Sequence, residues 1–179
     1  MDDDRTPRFE ALYAATFPLV LGYALRRCDG PEDAADVAAE TFAVAWRRMD
    51  AIPPGEQARL WLYGVARNVL ANHRRGLARR HELSAALAAE VTKRYEPSAE
   101  DCAGLHPVGA LFRQLSDVDR ELLSLVAWEG LDPGGIAVVL GCSRNAVRIR
   151  LHRARRRFAA LLEAAGVETD QLTTSGRQP

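Results

Sequence analysis

Residues 130–158, GLDPGGIAVVLGCSRNAVRIRLHRARRRF, decide how the rest of the chain is read, because their two halves carry the signals of a helix-turn-helix. Asp132 before Pro133 pairs an N-cap with a first-turn proline, and Ile136, Val139 and Leu140 then recur at the spacing of one helical face. Gly141 ends that helix. Lacking a Cβ, it can take the left-handed conformation of a helix C-terminus, and Ser143 two residues later can cap the next helix. A short scaffold helix, a tight turn and a second helix follow from these signals. Gly134 and Gly135 sit in the first turn of the scaffold helix, each less favourable than alanine by about 1 kcal/mol, so that turn is expected to be weak.

The second helix is long and basic. Val147, Leu151, Ala154, Phe158 and Leu161 fall at steps of four, three, four and three and form one apolar seam. Arg144, Arg148, His152 and Arg155 lie opposite, while Arg153, Arg156 and Arg157 flank them within reach of phosphates. With Ser143 as cap, Arg144, Asn145 and Arg148 occupy the first two turns, the part of such a helix that enters a major groove. Arginine can bond two acceptors of guanine, and asparagine can do the same with adenine. Ile149 either touches a thymine methyl or widens the seam beside Val147, and an isoleucine on an amphipathic helix favours the seam. A merely solvated basic helix is the bland alternative; the ordered series of cap, scaffold, glycine and second cap argues against it.

Composition fits a soluble globular chain, with 47% hydrophobic and 27% charged residues over 179 positions. Lys and Arg number 24, as do Asp and Glu, but the zero net charge hides an alternation. Residues 1–60 carry −4, 61–94 carry +5, 95–141 carry −6, 142–163 carry +6 and the remainder −1. Two acidic stretches each precede a basic one, which suggests two units that each bear a nucleic-acid face and something else. Cys28, Cys102 and Cys142 form no paired spacing and suit a reducing compartment. The acidic start MDDDRTPRFE has no secretory character and no apolar run approaches about 20 residues, so a cytoplasmic protein is expected.

Towards the N-terminus, Phe9, Leu12, Tyr13, Phe17, Val20, Leu21 and Leu25 predict a helix ending near residues 28–30, with a kink at Pro18. Pro31 starts a second, PEDAADVAAETFAVAWRRMD, with acids in its first turn and arginines in its last, as the helix dipole favours. Its inner face is expected to carry Val37, Thr41, Val44 or Ala45, and Trp46. Asp36, Ala39, Glu40, Ala43 and Arg47 form the outer face, which either docks on a basic helix of a partner or is simply solvated. A loop over 50–57 with Pro53, Pro54 and Gly55 leads to the helix containing ARLWLYGVARNVLANHRR. There Leu60, Trp61, Tyr63, Val65, Val69 and Leu70 mix with Arg67, Asn68, Asn72, His73, Arg74 and Arg75. Aromatics beside basic and amide groups suit unpaired bases, although burial in a core is the stronger alternative for Trp61. Asn68, Asn72 and Arg75 share a face and suit a polar recognition edge.

Three of these segments carry a resemblance that covers almost the whole chain. DAADVAAETFAVAW resembles the core-polymerase-binding helix of bacterial sigma factors of the extracytoplasmic-function (ECF) group of the sigma-70 family. WLYGVARN is similar to the start of their promoter-melting and −10-reading helix, and LGCS with VRIRLHRAR to their −35-reading helix-turn-helix. The resemblance implies an all-α protein of two small helical domains that binds core RNA polymerase and directs it to promoter DNA, is not an enzyme and needs no cofactor. Residues 1–80 would bind polymerase through Asp36 and Glu40, with Ala39, Ala43 and Arg47 beside them. The same domain would melt and read the −10 element with Trp61, Arg67, Asn68, Asn72, Arg74, Arg75 and the loop 50–59. Residues 108–165 would read the −35 element with Ser143, Arg144, Asn145, Arg148, Ile149, His152, Arg153 and Arg156. Family members are often held by an anti-sigma factor. Ala39 stands where the family commonly has glutamine, Gly134 and Gly135 where it has helix formers, and Ile149 where it has a small polar residue.

Residues 81–107 read as a connector, alanine-rich and then polar, in which 84–95 extend or add a helix and 96–107 are linker. Cys102 and His106 are half of a zinc-ligand spacing without a second half, so no metal is expected. Val108, Leu111, Phe112 and Leu115 predict a short helix, and Asp117 opens another through Leu122, Leu125, Val126 and Trp128, which would pack under the helix-turn-helix. The tail 166–179 is too polar to fold alone. The sequence contains no Ser-His-Asp set, phosphate-binding glycine loop or metal-ligand cluster. The rival reading is a stand-alone helix-turn-helix regulator with an N-terminal sensing or dimerisation domain, which would bind a palindrome as a dimer.

Overall fold

Pro31 removes an amide that no helix could use at that position, and Glu32 and Asp33 follow it at the positive end of the helix dipole. A helix, α2 (Pro31–Arg47), therefore starts there, with Arg47 in its last turn. In the computed structural model, which describes residues 5–88 and 107–167 and the side chains of 5–76 and 108–167, α2 lies between α1 (Arg5–Leu25) and α3 (Glu56–Ala88) in sequence. The three helices pack pairwise, and no strand occurs among the described residues. α1 runs through Pro18 and stops at Leu25, slightly short of the expected end, where Arg27 and Cys28 donate their amides to the Ala24 carbonyl in a turn.

Val20, Tyr23 and Ala24 of α1 meet Val37, Ala38, Thr41, Phe42 and Ala45 of α2 and Leu62, Tyr63, Ala66 and Leu70 of α3 in the first core. The Tyr23 and Tyr63 rings are 5.2 Å apart. Thr41 is tolerated in this core because its hydroxyl donates to the Val37 carbonyl at 2.7 Å, leaving no unpaired group. Trp46 corrects the expected inner face: it is 38% exposed and Phe42 is buried in its stead. Positions 38, 42 and 45 share the buried stripe, and one residue beyond Ala45 is a rotation of about 100° away from it. Trp46 packs instead edge-on to Phe9, ring centres 5.1 Å apart, under the Arg5 guanidinium at 4.9 Å. A short 3-10 turn (Met49–Ala51) follows α2 and buries Met49 and Ile52, anchoring the loop before α3. α3 continues to Ala88, into the stretch expected to connect the domains.

The second unit contains α4 (Pro107–Arg113), α5 (Asp117–Ala127), α6 (Pro133–Leu140) and α7 (Arg144–Ala164). Ser116 caps α5 by accepting the Asp119 amide at 3.2 Å. Leu122 and Leu125 of α5 are fully buried, as are Ile136 of α6 and Val147 and Ala154 of α7, with Leu151 nearly so. The seam of α7 ends on buried Leu162, while Leu161 is half-buried, correcting the expected last position. α7 closes with the Val167 amide on the Leu162 carbonyl and the Gly166 amide on that of Glu163, Gly166 lying at φ +68°. In this motif, the third residue from the helix end commonly makes the apolar contact, and here that residue is Leu162. Trp128 is 53% exposed rather than packed under the helix-turn-helix, because six residues carry it about 120° round from Leu122. Its ring stands edge-on to Phe112 at 5.6 Å, and Phe112 stands edge-on to Phe158 at the same distance. The Cys102–His106 pair and the tail beyond residue 167 lie outside the described residues.

Candidate nucleic-acid interface

The turn between α6 and α7 is built as its sequence dictates. Gly141 lies at φ +62°, and the Cys142 amide returns to the Ala137 carbonyl at 3.0 Å. Ser143 then accepts the Ala146 amide at 3.2 Å and opens α7. The first turn of α6 is formed despite its two glycines, which corrects the expected weakness. Asp132 accepts the Gly135 amide at 2.8 Å, and a Cβ at Gly134 would come within 3.2 Å of the Asp132 carboxylate, so glycine there leaves room for the cap. The Gly135 and Gly134 amides hold the Asp132 carboxyl below its ordinary range, with the Arg144 guanidinium adding to the effect and burial opposing it. Arg144 approaches Asp132 to 3.7 Å across the turn.

From this capped start α7 presents Arg144, Asn145, Arg148, His152, Arg153, Arg155 and Arg156 to solvent, opposite the buried Val147, Leu151 and Ala154. Ile149 is 46% exposed and stands among the arginines. The seam reading of this residue is thereby corrected: two positions beyond Val147 is about 200° around the helix, the far side of the seam. Arg157 differs from its basic neighbours. Its Nη1 donates to Asp119 Oδ2 at 2.7 Å, and the Asp119 side chain is only 6% exposed. The basic run in the sequence carries no sign of this partner, which lies 38 residues upstream.

On α3 the buried stripe of Leu62, Tyr63, Ala66 and Leu70 leaves Arg67, Asn68, Asn72, Arg74 and Arg75 exposed along the other side. Asn72 accepts a hydrogen bond from Arg75, so the expected polar edge is partly tied together in advance. Arg74 donates to the Arg27 carbonyl at 3.0 Å, and His73 Nε2 lies 3.4 Å from Asp33 Oδ1 at the start of α2. Tyr63 belongs to the core; Trp61 is half-buried. Burial, and then the Asp33 carboxylate, push the Cys28 thiol up, which leaves it a poor nucleophile. The outer face of α2 has Asp36, Ala39, Glu40, Ala43 and Arg47 all exposed, with Arg47 and Glu40 paired at 2.8 Å. Being exposed, that pair contributes little to stability and is available to exchange for other partners. Beside it Phe9, Tyr13, Phe17, Phe42 and Trp46 form a continuous ring cluster that the periodicity of either helix alone does not reveal.

Among the described residues no three His, Cys, Asp or Glu side chains come together to hold a metal, and no helix is long and apolar enough to cross a membrane. The family model for sigma-70 region 2 matches residues 12–80, and that for sigma-70 region 4 matches residues 105–158. The ECF RNA polymerase sigma factor SigL of Mycobacterium tuberculosis is 29% identical over 159 residues, covering 88% of this chain and 90% of SigL. RNA polymerase sigma factor CnrH of Cupriavidus metallidurans is 32% identical over 158 residues, 82% of each chain. The structure of CnrH in complex with the cytosolic domain of CnrY aligns at a TM-score of 0.59 and 29% identity, covering 87% of this chain and 88% of CnrH. The fold is also that of the sigma factor RpoE of Bartonella quintana, solved with the anti-sigma factor NepR, at a TM-score of 0.65 and 22% identity, covering 91% of this chain and 98% of RpoE. Matches to both sigma-70 regions, in order, and a relative at this identity across four-fifths of both chains establish that this chain belongs to the ECF group of sigma-70 family RNA polymerase sigma factors, which direct the polymerase to promoters.

Proposed function

We propose a division of labour among three exposed faces of this sigma factor. Asp36 and Glu40 on α2, flanked by Ala39, Ala43 and Arg47, dock on a basic surface of core RNA polymerase, the two alanines letting the partner's backbone come close. Arg67, Asn68, Asn72, Arg74 and Arg75 on α3, with Trp61 and the loop 50–59, open the −10 element and hold its unpaired strand. Arg144, Asn145 and Arg148 read base edges of the −35 element, Ile149 offers an apolar contact for a thymine methyl, and His152, Arg153 and Arg156 hold phosphates. The observation that carries this reading is the one-sided exposure of α7: its capped first two turns present three arginines, an asparagine and an isoleucine, Arg144, Asn145, Arg148 and Ile149 among them, with Val147 of the seam buried.

The functional domains proposed are 1–80 and 108–165, joined through 81–107, with the work done in the cytoplasm where polymerase and promoter are. CnrH has been seen with the cytosolic domain of CnrY, and that likeness supports a protein partner for this chain as well, which we propose to be an anti-sigma factor. Charge reversal tests the polymerase face: Asp36→Lys with Glu40→Lys should abolish co-purification with core polymerase while the helical circular dichroism stays unchanged. Unaltered assembly would remove α2 from the polymerase interface.

A further inference from the structure

Seven arginines lie between residues 142 and 163, and on charge alone each is a phosphate contact. Arg157 is set apart by its partner. Asp119 is 4% exposed, sits at the third position of α5 behind the Ser116 cap, and accepts from Arg157 at 2.7 Å. Arg120, the next residue, donates to the Arg113 carbonyl at the end of α4 at 2.7 Å and pairs with Asp117 in its own turn. One turn of α5 thus bonds the last residue of α4 on one side and the middle of α7 on the other, and both of those helices also pack against each other. The Arg157 side chain is itself 61% exposed, but the carboxylate that it reaches is shut off from water and cannot turn to another partner, so this charge-assisted bond pins α7 to α5 at a defined point where apolar contact alone would let it slide.

The leverage is calculable. Arg157 lies thirteen residues beyond Arg144, about 20 Å along the helix axis at roughly 1.5 Å per residue. A tilt of about 5° at the anchor moves the far end sideways by about 2 Å, wider than the roughly 0.5 Å span of ordinary N–H···O distances. We infer that Arg157 is a positioning residue: its bond to buried Asp119 sets the pitch of α7 on α5 and so the aim of Arg144, Asn145 and Arg148 at the base pairs, and it is not one of the phosphate contacts. This inference rests on the proposed −35 reading.

Opposite changes in charge make the test. Holoenzyme assembled with each variant is bound to a duplex library randomised over the −35 element, and affinity for a selected duplex is then followed against salt. Arg156→Ala, a phosphate contact, should lower affinity for all sequences alike and reduce the salt slope by about 0.9. Arg157→Ala removes a positive charge and Asp119→Asn removes a negative one, yet both should cut discrimination between base pairs in the same direction. The expected loss with Arg157→Ala is about 5- to 10-fold, the lower part of what one well-aimed bidentate contact supplies, with the salt slope unchanged. Arg157→Lys keeps the charge but loses the planar fork, so it should lose discrimination too; it also serves if Arg157→Ala fails the circular-dichroism check. If Arg157→Ala reduces the slope as Arg156→Ala does, with discrimination intact and Arg157→Lys like wild type, Arg157 is a phosphate contact and the inference is overturned. If wild-type holoenzyme selects no sequence at all over the −35 element, the underlying reading of α7 fails instead.

Discussion

Leu151 and Ile149 are two positions apart on one helix, similar in size and opposite in consequence. Leu151 is 3% exposed in the core of the second unit, and Leu151→Ala should lower unfolding stability by about 2–5 kcal/mol in denaturant titration. Ile149 is 46% exposed, so Ile149→Ala should change stability by less than about 0.5 kcal/mol and register only in promoter binding. Equal destabilisation by the two would return Ile149 to the seam. Asp132 gives a prediction in pH. Its folded-state carboxyl is held below the ordinary range by the Gly135 and Gly134 amides, so the stability it adds is fully present above the unfolded value of about 3.9. That contribution is lost as pH falls through the lower folded value. Protection of the Gly135 amide, its exchange taken relative to the intrinsic rate at each pH, should therefore fall in the acid range in the parent protein, while Asp132→Asn, which still caps but does not titrate there, should show no such step.

Most of the α6–α7 element was legible from local residue order: Asp132, Pro133, Gly141 and Ser143 each have a local steric or hydrogen-bonding reason to be where they are, and each does what its type predicts. The acidic outer stripe of α2 was equally legible, because exposure there follows helical period. What escaped was set by partners distant in sequence. Arg157 belongs to Asp119, Trp46 to Phe9 and Arg5, and Trp128 to Phe112; no window of one helix contains such information. The glycines of α6 misled for a different reason: their cost to the helix and the Asp132 cap are both visible in the sequence, but the room that the missing Cβ of Gly134 leaves for that carboxylate appears only in the fold. At Gly141 a Cβ would meet nothing within 4 Å, so strain at φ +62° is the only penalty of Gly141→Ala. A loss of about 1–2 kcal/mol should appear in thermal unfolding, and a much larger one would mean that the turn is packed as well as bent.

Across the whole molecule, the net charge of zero is the sum of acidic and basic stretches that alternate twice along the chain. Such a chain gains little from bulk electrostatics when it meets DNA alone, and its basic faces are most effective once the acidic ones are occupied by a partner. A sigma factor has this requirement, since its specificity is useful only on the polymerase. A dimeric helix-turn-helix regulator has the opposite one and selects its site unaided. The decisive measurement is transcription from a promoter duplex with core polymerase and this chain added separately and together, at physiological salt. Initiation at a fixed start should appear only with both, and Asp36→Lys with Glu40→Lys should remove it. A discrete sequence-specific complex of this chain on palindromic DNA without polymerase, together with initiation by core polymerase that does not change when the chain is added, would contradict the account.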